Sequence, residues 1–441
     1  MAINDKKIGA ALATATCGLL GMAPSASVAA EPESPWDVDS AFLYYGESDG
    51  RVQDMSLSAH ATRDFGDERI LGFEGSVDSL TGASPNGAIA SGSPQTFTSP
   101  SGRATYQTPA GDIPLDGTFH DTRIALNGSW SQPFARLYTV NAGLGFSSEF
   151  DYQHIGANFG LTRDFNQRNT TLSMALAYAS DTIKPVGGLH QPLTQMGDAT
   201  GREDDESESG DGGSDSKNVL DVLLGVTQVL GRHTVLRVNL SYSDSSGYLT
   251  DPYKILSVVD PVTGEPVART PAPGADGPGN VYLYESRPDS RRKEGLYAEL
   301  RHDFSGKVLQ VGYRYSTDDW DVDSHTLESR LRLPLGESGY LEPHVRYYQQ
   351  TAASFYRYSL PNTSLPEFAS ADARLSDMNA VTVGLKYGRE TAGGNEWNAR
   401  LEFYQQKAKA PGEFLIGNQV GNTLMPDFNA VILQFGYHFK L

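Results

Sequence analysis

Charged side chains recur at every second position in several segments between residues 301 and 346, a spacing that brings them to one face of an extended chain. Basic groups dominate this face, with two glutamates and one histidine among them. Such a row can select ions in a water-filled passage, or its members can pair and brace a wall. The sequence leaves both roles open. The candidate residues are Arg301, Arg314, Glu328, Arg330, Arg332, Glu342, His344 and Arg346.

Four aspartates fall at one predicted tight turn, where their carboxylates are expected to lie close together. Divalent cations prefer such oxygen ligands, so the turn is a candidate metal site. A longer acidic run over residues 198–215 holds eight acidic residues and one basic residue, Arg202. Its spacing matches no ordered calcium loop, which favours a solvated loop over a cation trap. The aspartates of the turn are Asp318, Asp319, Asp321 and Asp323.

A basic cluster ends a loop rich in glycine and proline, at Arg287, Arg291, Arg292 and Lys293. It could bind an anionic substrate or a lipopolysaccharide phosphate, or it could pair with the acidic loops. Pairing with the acidic loops is the favoured interpretation.

Motifs for catalysis are scarce. Residues 46–50 match G-x-S-x-G, but they fall at a predicted hairpin tip and not at a strand–helix elbow that would expose a nucleophile. Zinc, phosphate-loop and metalloprotease spacings are missing, as are basic stretches with interleaved aromatic residues. We therefore expect no enzyme activity, no cofactor and no nucleic-acid partner.

Amphipathic segments of about ten to fourteen residues must position the charged row. Apolar residues alternate with polar ones in each, as Leu309, Val311 and Tyr313 do with Gln310 and Gly312. This period of two predicts strands with one apolar and one polar face. Sixteen segments are an even number, as a single-chain bacterial barrel requires. They begin near residues 36, 52, 69, 118, 137, 151, 170, 217, 233, 292, 307, 320, 339, 376, 395 and 428.

The connections between segments alternate in length. Every even-to-odd link is short, whereas every long link is odd-to-even: 81–117, 182–216, 247–291, 351–375 and 408–427. Outer-membrane barrels have short periplasmic turns and long extracellular loops, and a soluble sandwich has no reason to sort its loops by parity. We therefore predict an all-β fold, a transmembrane antiparallel β-barrel of about 16 strands with long extracellular loops and short periplasmic turns.

The last strand carries a second signal. Its apolar face runs to the final residue, through Phe435, Tyr437, Phe439 and Leu441. A strand this apolar at a terminus is stable only against core or lipid. We expect it to close the ring against the segment near Trp36. Its pattern resembles the signal read by the bacterial barrel-assembly machinery, carried here by Gln434, Gly436, Phe439 and Leu441.

The first thirty residues have the order of a secretory signal. Lys6 and Lys7 precede an apolar run from Ile8 to Leu20, and small residues follow up to Ala30. We predict a signal peptide over residues 1–30 and one barrel domain over residues 31–441. Cys17 is the single cysteine, so the mature chain is expected to lack disulfides and thiolate metal sites. The expected location is the bacterial outer membrane.

Several longer motifs point to one family: DSLTGASPNG at 78–87, YLTDPYK at 248–254, ESRPDSR at 285–291, YRY at 313–315 and DDW at 318–320. Together they resemble an uncharacterised outer-membrane barrel family, known as a domain of unknown function (number 3570). The family has no established activity, so the resemblance carries no catalytic residue over. Its members are often encoded beside flavin-transferase and thioredoxin-like proteins, which implies a link to extracytoplasmic redox systems.

The expected function is that of a channel or transport component for small solutes. The alternative is a sealed barrel whose extracellular loops bind a ligand or partner, as an accessory to an extracytoplasmic flavin or redox system. Outer-membrane lipid, lipopolysaccharide and the barrel-assembly machinery are the expected partners. Periplasmic redox partners are implied by the family resemblance.

Overall fold

The computed structural model describes residues 36–199, 213–420 and 427–441. The predicted signal peptide and most of the acidic run lie outside these residues. Twenty-one strands and five short 3-10 turns account for the regular structure described. No helix in the described ranges is both long and apolar enough to cross a membrane.

Sixteen of the described strands close into one antiparallel barrel, which confirms the predicted fold class. Consecutive barrel strands are neighbours, and the first pairs with the last, from Asp37 opposite Lys440 to Glu47 opposite Ala430. The barrel strands are β1 (Asp37–Glu47), β2 (Val52–Asp64), β3 (Ile70–Pro85), β6 (Leu115–Ala135), β7 (Tyr138–Ser148), β8 (Tyr152–Phe165), β9 (Thr170–Ile183), β10 (Asp215–Gly231), β11 (Thr234–Gly247), β14 (Ser290–Phe304), β15 (Lys307–Asp318), β16 (Ser324–Leu335), β17 (Gly339–Gln350), β19 (Asp377–Glu390), β20 (Glu396–Lys409) and β21 (Phe428–Lys440).

The predicted strand starts agree with the structure to within three residues, with one exception. The segment placed near residue 320 begins instead at Ser324. Alternation of Trp320 and Val322 with aspartates imitates a strand, but both apolar side chains are buried. The Asp318 carboxylate accepts the backbone N–H groups of Trp320 and Val322, each at 3.0 Å, and holds this stretch as a turn.

The outer surface of the barrel is apolar. Alternate side chains point away from the lumen, and many are open to the surroundings; Leu144 is 71% exposed and Ile155 is 64% exposed. On β21, Phe435 and Tyr437 face outward in the same way. An outward-facing apolar surface with a polar lumen is typical of outer-membrane barrels.

The two ends of the barrel differ, as the alternation of link lengths predicts. The turn end carries connections of two to five residues, such as 232–233 between β10 and β11 and 391–395 between β19 and β20. The loop end carries all the long connections. These fold together as a loop cap, which we define as residues 86–114, 184–199, 248–289, 319–323, 351–376 and 410–420.

Five strands lie within the loop cap. The strands β4 (Gln95–Thr98) and β5 (Thr105–Thr108) form a hairpin. A three-stranded sheet joins β13 (Tyr282–Tyr284), β12 (Ile255–Val259) and β18 (Leu360–Pro361), and β12 pairs with β18 in parallel. Every residue of β12 is buried. The cap thus has an interior of its own, separate from the barrel wall.

Backbone hydrogen bonds join loops from distant parts of the ring. The amide of Ile255 donates to Asn86 O at 2.9 Å, linking the loop after the third barrel strand to the loop after the ninth. The amide of Asn362 donates to Val259 O at 3.0 Å, which brings in the loop after the thirteenth. Loops that meet from such separated positions must cross the mouth of the barrel.

Candidate functional site

The charged row predicted from the sequence lies on the lumen side of β14 to β17. On β16 and β17, Arg330 Nη2 lies 2.6 Å from Glu328 Oε1, and His344 Nε2 lies 3.5 Å from the same oxygen. His344 Nδ1 also bonds Glu402 Oε1 of β20 at 2.8 Å. These side chains come from β16, β17 and β20 and form a paired network that passes over β19.

A glycine makes the contact between His344 and Glu402 possible. Gly384 of β19 lies between His344 and Glu402 in the strand register. A Cβ atom at this position would lie 2.5 Å from Glu402 Cγ. The bare backbone therefore leaves the space through which the carboxylate reaches the histidine two strands away.

Three further arginines of the row lie against tyrosine rings. The guanidinium carbon of Arg332 is 3.6 Å from the centre of the Tyr340 ring, and that of Arg314 is 5.3 Å from the centre of Tyr297. Arg346 lies over Tyr348. Among the described residues, Arg314, Arg332 and Arg346 have no carboxylate in ion-pair contact. Cation–π contacts orient an arginine without cancelling its charge, so the lumen keeps positive groups that attract anions.

The remaining two members of the row also face the lumen. Arg301 lies between Val235 and Gln310 in the register, and Glu342 lies opposite Lys386 of β19. Both are half-buried. The structure therefore brings all eight predicted residues to one side of the lumen, where part of the row is paired and part is not.

A buried ion-pair cluster of Glu285, Arg287 and Asp372, which we call the clasp, connects two loops of the cap. Arg287 Nε lies 2.5 Å from Glu285 Oε1, and Arg287 Nη2 lies 2.8 Å from Asp372 Oδ2. The same Glu285 carboxylate accepts the Asp251 amide at 2.7 Å and the Ser370 hydroxyl. The clasp joins residues 248–289 to residues 351–376, two of the loops that meet over the mouth.

The carboxylates of the clasp respond differently to burial. Burial raises the pKa of Glu285 to about 7, against the attraction of Arg287. Burial would also raise the pKa of Asp372, but the guanidinium groups of Arg374 and Arg287 hold it well below its usual range. Asp372 is thus the permanent anion of the clasp.

The sequence pointed to Arg287 but missed its partners. Asp372, Asp251 and Arg374 stand in loops without any strand-like alternation. The contact of Arg287 with Asp372 spans 85 positions of the chain, and that of Arg374 with Asp251 spans 123. Arg287 and Asp372 are linked only through the fold of the cap. The available signal was the density of charged residues within the ESRPDSR motif.

The predicted metal turn does not gather its four carboxylates. Asp318 accepts from Arg291 and from two backbone amides, Asp319 accepts the amide of Arg292, and Asp323 accepts the hydroxyl of Tyr315. Asp321 adopts a positive φ of 66°. Cation binding at Asp318, Asp319, Asp321 and Asp323 stays a prediction that this geometry does not favour.

Two other acidic groups are compact. In the first, ligand atoms of Asp121, Glu149 and Asp151 all lie within 4.8 Å of one another at the loop end. Burial, followed by the neighbouring Asp121, raises the pKa of Glu149 to about 7, and burial raises the pKa of Asp151. A second group at the turn end joins Asp37, Asp39 and His438.

The residues of the predicted assembly signal lie on β21, with Leu441 directly after it. Gly436 faces Ala41 of β1 and Asn398 of β20 in the register, and Phe439 pairs with Val38. The amide of Leu441 donates to Trp36 O at 2.8 Å. Gln434, Gly436, Phe439 and Leu441 therefore sit at the seam where the ring closes.

A family of proteins matches almost the whole chain. The sequence model of the family described as "Protein of unknown function (DUF3570)" matches residues 9–439. The search of curated proteins found no match.

Solved barrel structures show a weak likeness. A bacterial polysaccharide outer membrane secretin has 9% identity, a TM-score of 0.43, and coverage of 92% of this chain and 99% of its own. The siderophore receptor PirA from Acinetobacter baumannii has 11% identity, a TM-score of 0.45, and coverage of 92% and 60%. CdiB from Acinetobacter baumannii has 9% identity, a TM-score of 0.46, and coverage of 92% and 60%. The chain spans about 60% of the length of the two Acinetobacter proteins.

Proposed function

This chain belongs to the DUF3570 family of proteins of unknown function, and we propose that it is an outer-membrane transport component for small solutes, gated by the loop cap. The observation that carries this proposal is the hydrogen-bonded cap, which draws loops from separated positions of the ring over one mouth. Barrels of about 16 strands enclose an aqueous lumen. A folded cap over such a lumen makes a compartment that opens when the cap moves.

The proposed location and partners follow from the surface of the barrel. The apolar outer surface supports contact with outer-membrane lipid, with the loop end facing outward beside lipopolysaccharide and the turn end facing the periplasm. The closing strand β21 supports delivery by the barrel-assembly machinery. The periplasmic redox partner implied by the family resemblance would meet the turn end.

The alternative is a permanently sealed barrel whose cap binds a ligand or partner. The paired network of Glu328, Arg330, His344 and Glu402 favours it, because paired charges can brace a wall without any solute passing. The two functions differ in what happens when the cap is loosened. A gated barrel then conducts, and a sealed barrel does not.

Conductance of the purified, folded protein in planar bilayers tests the proposal. Breaking a buried ion pair costs about 3–5 kcal/mol, so Arg287→Met should loosen the clasp. We expect the wild type to stay closed for most of the recording. The Arg287→Met variant should carry at least about tenfold more time-averaged current, because a loss of 1.4 kcal/mol already shifts an equilibrium tenfold.

Arg103→Met is the matched control, since Arg103 is an exposed arginine of the cap. This variant should behave as the wild type does. A wild type that conducts steadily would refute the closed cap. If the Arg287→Met variant is folded and carries no current, the result would support the sealed alternative.

A further inference from the structure

A cavity of about 220 Å³ lies under the loop cap, where three barrel strands reach the loop end. Its wall side comes from the lumen faces of β10, β11 and β14, and its roof comes from the cap. It is much larger than the roughly 10–15 Å³ that one water requires, and smaller than the roughly 300–1,000 Å³ of a drug-sized pocket. The lining residues are Lys217, Ser243, Ser245, Leu249, Arg287, Arg291, Lys293 and Trp320.

Three of the four cations around the cavity already have carboxylate partners. Lys217 Nζ lies 2.9 Å from Asp181 Oδ2, and Arg291 Nε donates to Asp318 Oδ2 at 2.8 Å. Arg287 belongs to the clasp and shares its charge with two buried carboxylates. The charges of Lys217, Arg287 and Arg291 are therefore offset by neighbouring carboxylates.

Lys293 is different. Its closest candidate partner is Asp318, directly opposite on β15. Both oxygens of Asp318 are committed, Oδ2 to Arg291 and Oδ1 to the amides of Trp320 and Val322. Asp221 stands in the same row two strands away. Within the described ranges, the Lys293 ammonium makes neither a hydrogen bond nor an ion pair.

Hydroxyl groups flank this lysine. Ser243 lies beside Lys293 in the register, and Ser245 lies beside Arg291. In the described part of the chain, neither hydroxyl makes a hydrogen bond. The cavity therefore combines one unmatched ammonium, two free hydroxyl donors and the edges of three paired cations. Trp320 and Leu249 give its opposite side an apolar surface.

We propose that this cavity binds a phosphate group that enters from the lumen. A tetrahedral group with several charged oxygens uses donors arriving from several directions, as Lys293, Ser243 and Ser245 do. A planar carboxylate would leave part of this set unused. The cap blocks approach from outside, so the ligand comes up the lumen past the unpaired arginines. The proposal rests on the proposed function, since it names the chemical class of the solute.

Calorimetric titration of the folded protein in detergent tests this site with defined probes. Phenyl phosphate, inorganic phosphate and benzoate are titrated separately. We expect saturable binding of phosphate, and at least tenfold weaker binding of benzoate. Tighter binding of phenyl phosphate than of inorganic phosphate would identify a phosphate ester as the ligand class, and equal binding would identify free phosphate.

Lys293→Met should weaken phosphate binding at least tenfold, and Lys293→Arg should recover part of the loss. Lys386→Met, which removes another lysine from the lumen wall, should leave the affinity within twofold of the wild type. Heat-modifiable gel mobility verifies that each variant is folded. Absence of saturable phosphate binding, benzoate binding equal to that of phenyl phosphate, or an unchanged affinity in Lys293→Met would overturn the proposal.

This test is separate from the conductance test. A barrel that conducts steadily but binds phosphate through Lys293 would refute the closed cap and retain the site. A barrel with a closed cap but without phosphate binding would refute the site and retain the gate.

Discussion

At the scale of single residues, the ionisation of a half-buried carboxyl group lowers the stability of this barrel. Glu149 sits in the short turn between β7 and β8, beside Asp121 and Asp151. Its pKa is raised to about 7 from 4.5 by burial and by Asp121. A carboxyl whose pKa is higher in the folded state stabilises the fold below its unfolded pKa. That contribution is lost as pH rises from about 4.5 to 7.

Glu149→Gln should therefore stabilise the protein at pH 8 and leave it unchanged near pH 4.5. We expect the free energy of unfolding to rise by about 1–2 kcal/mol at pH 8. This is less than the whole pKa shift of Glu149 would give, because the side chain is only half-buried and solvent screens it. The midpoint of heat-modifiable mobility at both pH values measures it. Glu337→Gln, in the exposed turn between β16 and β17, serves as the control. An equal change at both pH values for Glu149→Gln would contradict the assignment.

At the scale of elements, the loop cap depends on close backbone contacts. Gly87 has a φ of +100°, and a Cβ there would lie 2.2 Å from Ile255 O. Gly87→Ala should push β12 away from residues 86–114 and expose the cap to protease. Gly92 lies in the same loop and has no atom within 4 Å of its would-be Cβ, so Gly92→Ala should resist protease as the wild type does.

Limited proteolysis, with the barrel followed by heat-modifiable mobility, separates the two glycine variants. We expect cleavage in the cap of Gly87→Ala while the barrel remains folded. Equal protease resistance in both variants would show that the contact at Ile255 does not hold the cap.

The sequence predicts the barrel elements well because each strand carries its own alternation. Leu309, Val311 and Tyr313 need no distant partner to reveal a two-faced strand. The cap strands give no such signal. All five residues of Ile255–Val259 are buried, and their partner Leu360 lies about a hundred positions away. Trp320 misleads in the opposite way, because its alternation with aspartates imitates a strand although Asp318 holds this stretch as a turn.

At the scale of the whole molecule, the ring and the parity of its connections could be deduced without coordinates. The closing of the mouth could not. It depends on which loops meet, and therefore on contacts such as Arg287 with Asp372 that join two separate loops. The sequence likewise placed the eight charged residues in the lumen without showing which of them are paired. Pairing is decided by register and by gaps such as Gly384.

The central claim is that the loop cap closes the lumen from outside, and labelling of intact cells with a membrane-impermeant maleimide tests it most directly. The chain beyond the predicted signal has no cysteine, so the label reacts only with a cysteine that is introduced. Ser129→Cys places a thiol on the lumen wall of β6, and Val262→Cys places one on the cap surface, where Val262 is 79% exposed. We expect rapid labelling of Val262→Cys, no labelling of Ser129→Cys, and labelling of Ser129→Cys once Arg287→Met is added. Labelling of Ser129→Cys as fast as Val262→Cys, with the clasp intact, would contradict a closed cap.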